Sequence, residues 1–310
     1  MRRVVRGRHI DTRSPRGYYR DYSSLADPRA PVDSDGLPTL RRPGEGHEHS
    51  PLDVARFGLG NLEVYLENGA PERRDRFRRS VGRLREMLEI VPSSFGGWAM
   101  PPAPEPYRRL LPSGRFAAGA QGECLSAVVR AWALLGLEGA EKTAKCAFAA
   151  FTAPVEDGGF SRDIGDSAGD VTVDSPAFME EYPIEQRAVL DLSGHMRAML
   201  GIYDYWSASG DAAARAVWRR CVAGLESVLP RYDLGYWTRD DLDAGRVRPK
   251  TSSVSSLREH VLHLSVLADL AESDVFRRTA GRWSEYSAPL WRRFGAIRAR
   301  ISPGLSAHGR

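Results

Sequence analysis

The strongest constraint on this chain is a helical apolar repeat that comes in paired segments, with glycine–aromatic turns between the pairs. Ser50 followed by Pro51 is a helix-starting pair, and Val54, Phe57, Leu59, Leu62 and Tyr65 then recur at helical spacing. A second helix is predicted over 71–90, with Phe77, Val81, Leu84 and Leu88 on one stripe. Further helices are predicted over 121–137, 139–152, 187–207, 211–229, 255–271 and 273–294. Between pairs lie Phe95-Gly96-Gly97-Trp98, Asp157-Gly158-Gly159-Phe160 and Asp233-Leu234-Gly235-Tyr236-Trp237. The glycines suit chain reversal, and the aromatics beside them suit stacking on sugar rings. Strongly alternating strand patterns are scarce. The expected fold is mainly α: an α/α toroid of helical hairpins over 51–296, with an irregular N-terminal arm over 1–50 and a tail over 297–310. Tyr18, Tyr19 and Tyr22 are placed to pin the arm onto the body.

Composition narrows the class. Hydrophobic residues are 42% of the 310 and charged residues 27%, ordinary globular usage that supports a sizeable core. Net charge is +4, and only Lys142, Lys145 and Lys250 among the 44 basic residues are lysines. Arginine's planar fork suits carboxylate, phosphate or sulfate. The arginines are scattered and form no groove-reading motif, so no nucleic-acid partner is expected. Cys124, Cys146 and Cys221 are sparse and contain no CxxC pair, which fits a reducing compartment and argues against a zinc knuckle. The basic N-terminus is followed by no apolar run, and no run of about 18 apolar residues occurs. The reading is a cytoplasmic protein with no membrane span.

Several short motifs share an order with one known family. Gly96-Gly97-Trp98 is similar to a Gly-Gly-Trp-Pro turn, with Ala99 in place of the proline. Ala120-Gln121-Gly122-Glu123 is similar to an Ala-Gln-Gly-Gln helix. Glu180-Glu181-Tyr182-Pro183 matches a Glu-Glu-Tyr-Pro motif, and Leu200-Gly201-Ile202-Tyr203-Asp204 a helix end. Leu229-Pro230-Arg231-Tyr232-Asp233, with Tyr236 and Arg239, resembles a Leu-Pro-x-Tyr-Asp block and a later Tyr-x-x-Arg. Together they make the chain resemble the D-glucuronyl C5-epimerase family, in its C-terminal helical domain and its compact bacterial relatives, over roughly 18–292. The resemblance implies inversion of C5 in a glucuronate unit of a polysaccharide or glucuronoside, with no oxidising cofactor and no metal. The implied partner is a glucuronate-containing glycan; a second copy of the chain, as a homodimer, is a further candidate.

That chemistry sets demands. The C5 proton lies α to a carboxylate, so its removal adds negative charge to an anionic group. Donors or cations must stabilise the resulting aci-carboxylate. One group must take the proton and another must return one to the opposite face. The resemblance makes Glu181, Tyr182 and Tyr236 catalytic, with Glu181 as base. Arg239 is implied at the sugar carboxylate, with Arg187 as a weaker candidate. Trp98, Gln121 and His260 are expected to touch substrate; for Gln121 and Glu123, helix capping is the competing role. His260 and His263 share a helix face but lack the acidic partners of a metal site. The family's remaining tyrosine, four residues before its histidine, is Ser256 here, and Lys250 is the one nearby group able to replace it. Two other readings remain: a non-catalytic uronate-glycan-binding protein, or a hydrolase or lyase using Asp191 or Asp174 beside Glu181.

Overall fold

The structure is a computed structural model that describes residues 4–27, 31–42, 46–91, 95–111, 115–165 and 175–286. Among these residues eight α-helices follow one another: α1 (Pro51–Asn68), α2 (Pro71–Glu86), α3 (Ala118–Leu135), α4 (Ala140–Phe148), α5 (Leu192–Ser209), α6 (Ala212–Val228), α7 (Val254–Leu270) and α8 (Asp274–Tyr286). The starts are chemically marked. Ser50 Oγ accepts the Asp53 N–H ahead of α1, Asp191 Oδ1 accepts the Gly194 N–H at α5, and Ser253 Oγ accepts the Ser256 N–H at α7. Gly69 and Gly210 close α1 and α5 at φ 70° and 68°, where a side chain would be strained.

The helices pack as hairpins: α1 on α2, α3 on α4, α5 on α6 and α7 on α8. The first member of each hairpin also packs on the next, in the order α1, α3, α5, α7. The protein is therefore mainly helical, and this inner row is compatible with the expected toroid. The N-terminal arm reaches both ends of the row. Arg8 donates its N–H to Glu63 of α1, whereas Arg20 pairs with Glu259 at 3.0 Å and Arg6 with Asp269 at 2.8 Å, both on α7. Tyr18, Tyr19 and Tyr22 are buried, Tyr19 donating to Asp204 at 2.7 Å and Tyr22 to Glu123 at 2.8 Å.

The inner helices are more buried than an amphipathic stripe requires. Every residue of α3 from Ala118 to Ala131 is buried, including Arg130. Its guanidinium meets Asp204 at 2.5 Å and lies over the rings of Tyr18 and Tyr19. Ser126 and Tyr19 supply further donors to Asp204, so both oxygens of the buried carboxylate are paired.

Two boundaries depart from expectation. The helix predicted over 71–90 ends at Glu86, and Leu88–Ile90 (β3) pairs antiparallel with Gly96–Trp98 (β4). The twin glycines leave room there for the side chains of Leu88 and Phe116. The helix predicted from 187 starts at Leu192, because Asp191 caps it and Leu190 before the cap is left-handed at φ 52°. Short hairpins also form between Leu40–Arg42 and Gly46–Glu48 (β1, β2) and between Ser161–Asp163 and Ala177–Met179 (β5, β6). The predicted end of the last helix, residues 287–294, and the tail lie outside the described residues, as does Asp174. No helix among the described residues is long and apolar enough to cross a membrane.

Candidate active site

β6 delivers the Glu180-Glu181-Tyr182 segment to the first turns of α3 and α5, and its two glutamates part there. Glu180 is fully buried; Arg162 meets it at 2.8 Å, and the N–H groups of Val189 and Leu190 donate to it. Glu180 thus braces the loop that leads to α5. Glu181 turns the other way, toward a space that solvent reaches, with 13% of its side chain exposed. Its Oε2 accepts the Gly119 N–H at 2.7 Å, and its Oε1 lies 3.4 Å from Arg197 Nη2. The carboxylate fits because α3 and α5 carry glycine where it passes. A Cβ on Gly119 or Gly194 would come within 2.8 Å of Glu181 Oε2. The first turns of two helices and a guanidinium therefore surround this carboxylate.

Around Glu181 stand further ionisable groups. Arg197 of α5 lies within 3.7 Å of three carboxylates, Glu123, Glu181 and Glu259. Burial would raise Glu259, but Arg197, His263 and Arg20 outweigh it and hold its carboxyl down to about 2. Asp191 is 9% exposed; burial, then the charge of Glu181, pushes its carboxyl up to about 7. Lys250 meets Asp240 at 3.3 Å and its charge is felt at Asp191 and His260. The loop carrying Asp240 is pinned beside α5, since Leu192 N–H donates to Asp240 O at 3.0 Å.

Tyr182 continues the same wall. Its ring packs tilted against Tyr107 at 4.4 Å, and the Arg115 guanidinium lies over it at 5.1 Å while donating to Glu181 O. Burial, then the charges of Asp191 and Glu181, raises the Tyr182 phenol, which keeps it a proton donor. Among the described residues its hydroxyl makes no hydrogen bond.

The other expected site residues are distributed unevenly. Arg239 lines a neighbouring cleft of about 310 Å³ with Arg231, Asp241, Asp243 and Arg246. Its guanidinium forms no ion pair among the described residues, and its Nε is buried without a partner. Tyr107 joins the two spaces, because its hydroxyl contacts Asp241, Asp243 and Arg246 while its ring packs on Tyr182. Arg187 pairs with Asp243 at 3.0 Å in the same wall. Tyr236 sits at the tip of the Asp233–Thr238 turn, 67% exposed, and makes no contact with Glu181.

Three residues expected at the substrate are buried in the structure and make internal contacts. Trp98 is buried and its indole N–H donates to Leu84 O at 2.7 Å. Gln121 donates to Gly96 O and Ala147 O and accepts the Trp98 N–H, so its amide ties β4 to α3 and α4 with both donors used. Glu123, weighed beside it, is likewise taken, by Arg56 and Tyr22. His260 is fully enclosed, 6.2 Å from the Trp283 ring, and burial pulls its imidazole down to about 4. It backs the site without lining it. Ser256, at the position of the family tyrosine, hydrogen-bonds Ser253 in the cap of α7.

Sequence reasoning passed over Arg197, Arg115, Tyr107 and Glu259. Arg197 had a legible signal: a lone charge inside Met196-Arg197-Ala198-Met199-Leu200, a run that is otherwise apolar. The other three carry no local signal, because only the fold brings them to Glu181.

Comparison with known proteins bears on the family and the fold. A family model described as the D-glucuronyl C5-epimerase C-terminus matches residues 93–285. A D-glucuronyl C5-epimerase of Caenorhabditis elegans is 26% identical over 252 residues, 76% of this chain and 39% of that protein. The chain thus spans about two-fifths of the length of that relative. Among solved structures a D-mannose isomerase aligns with a TM-score of 0.55 at 10% identity, over 86% of this chain and 67% of that one, which supports a shared fold. The matched span includes Glu181, Tyr182, Arg197 and Arg239, and with more than half its length inside the family model the chain belongs to the D-glucuronyl C5-epimerase C-terminal family.

Proposed function

We propose that this chain is a uronosyl C5-epimerase, inverting C5 of a glucuronate unit in a glycan by removal and return of a proton. The observation that carries the reading is the setting of Glu181: a solvent-reached carboxylate, both oxygens held, at the meeting of the first turns of α3 and α5. Held geometry matters because proton transfer needs the base within about 3 Å of the proton's carbon. In this reading Glu181 takes the C5 proton. Tyr182, kept protonated and with its hydroxyl uncommitted, donates to the sugar carboxylate as charge builds there. Arg115, over the Tyr182 ring, and the unpaired Arg239 across Tyr107 supply positive charge to the same acid group. Tyr236, exposed on its turn, reaches this space only if the turn folds in over bound glycan.

The test is incubation of the full chain in deuterated buffer with a panel of glucuronate-containing polysaccharides, alternating with N-acetylglucosamine or with glucose, followed by NMR. Deuterium at C5 together with iduronate signals is the expected result. Unchanged C5 protons across the panel, with the glycans bound, would instead identify a glycan-binding protein.

A further inference from the structure

Resting on that reading, the geometry points to Asp191 as the second proton-transfer group of this site, serving the face of the sugar opposite Glu181. The need is specific to this chain. Two-faced inversion requires two proton carriers, and the position expected to hold the second one is Ser256, tied up in the cap of α7. The groups around Glu181 can be taken in turn. His260 is enclosed, with no exposed surface to offer a substrate. Glu259 is locked as an anion between Arg197 and Arg20. Asp240 and Lys250 hold each other at 3.3 Å. Glu123 is bound by Arg56 through both oxygens.

Unlike the carboxylates of Glu259, Asp240 and Glu123, that of Asp191 forms no ion pair among the described residues. One oxygen caps α5 by accepting the Gly194 N–H at 2.8 Å, and the other accepts no hydrogen bond among the described residues. The same Gly194 lies directly beneath Glu181, so both carboxyls meet at the first turn of α5. Glu181, Arg197, Lys250, Tyr182 and Tyr232 are the charged and titratable groups that face it. The two carboxyls are held differently: Glu181 is gripped by the Gly119 N–H and Arg197, while burial and the charge of Glu181 favour the protonated Asp191. The step balances. As Glu181 accepts the proton from C5, the Asp191 O–H bond breaks and a new C–H bond forms on the opposite face. Asp191 is left as a carboxylate and Glu181 protonated, and both re-equilibrate with water.

The experiment uses the full chain with Asp191→Asn and Asp191→Ser. Both replacements cap a helix as Asp does, and unfolding curves confirm that the fold is kept. C5 exchange in deuterated buffer and inversion are measured separately, starting from glucuronate and from iduronate polymers. The expected outcome is uncoupling. Inversion falls about 100-fold or more, whereas exchange survives for the one epimer whose C5–H faces Glu181. Inversion at the wild-type rate in both variants overturns the assignment and leaves the Glu181 reading intact. Parallel loss of exchange for both epimers also overturns it, since Asp191 would then only support Glu181. Absence of C5 exchange in the unaltered protein sinks the epimerase reading itself, and this inference with it.

Discussion

Gly194→Ala is the substitution that most sharply separates the site from the fold. A methyl at Gly194 would lie 2.8 Å from Glu181 Oε2 and closer still to Glu181 Cβ, whereas ordinary contact begins at 3.4 Å. The carboxylate must therefore retreat by at least about 0.6 Å, and the Cβ clash lengthens that path toward about 1 Å, a displacement that can cost ~10²-fold in rate. Retreat also pulls Oε2 from the Gly119 N–H and loosens the Arg197 contact. The effect on stability is smaller. Overpacking costs about 1–3 kcal/mol, and the gain in helix propensity from Gly to Ala returns about 1 kcal/mol. The assay pairs C5 deuterium incorporation with urea unfolding on the same preparation. We expect exchange to fall about 100-fold while stability drops by no more than about 2 kcal/mol. Full exchange in a stably folded Gly194→Ala variant would refute the claim that Glu181 works from this seat.

Two further outcomes follow from buried charge. Replacing Arg130 by Met leaves Asp204 unpaired in the core and should cost about 3–5 kcal/mol in urea unfolding, whereas the Arg130→Met/Asp204→Leu double variant should recover much of that loss. The second concerns pH. His195, His260 and His263 are buried neutral, with pKa values near 3, 4 and 4, so the unfolded chain binds their protons first as pH falls below about 6.5. Glu180 and Asp191, both raised to about 7 by burial, act in the opposite sense, because between about 4.5 and 6.5 the folded chain binds their protons and the unfolded chain does not. These five groups leave the unfolded state about one proton ahead, so stability should fall by about 1.4 kcal/mol per pH unit between pH 6.5 and 4.5. Asp191→Asn removes one opposing group and should steepen the slope to about twice that; a flat profile in both proteins would contradict the burial assigned to these groups.

Helices were the most legible part of the chain, because the apolar period and the Ser50 cap act locally, whereas the cap at Asp191 was not read and the start of α5 was placed too early. What the period could not show was where a helix yields to a strand. Leu88 continues the stripe of α2, yet it pairs with Trp98, a partner that no local pattern announces. The site divides in the same way. Glu181 and Tyr182 were found through a four-residue motif whose neighbours in space are fixed by the turn that carries it. Trp98 and Gln121 were placed on substrate for their residue types, and the fold uses both as internal fasteners. Arg197 and Asp191 reach Glu181 across α5, a tertiary relation with no fixed spacing in sequence from the motif.

The account rests on Glu181 as the group that takes the C5 proton, and loss of label tests it directly. A glucuronate polymer carrying deuterium at C5 is incubated in ordinary water with the unaltered chain and with Glu181→Gln, and the rate of isotope release is followed. Release by the unaltered protein and a fall of at least about 100-fold in the variant are predicted. Release by Glu181→Gln at the unaltered rate would contradict the account.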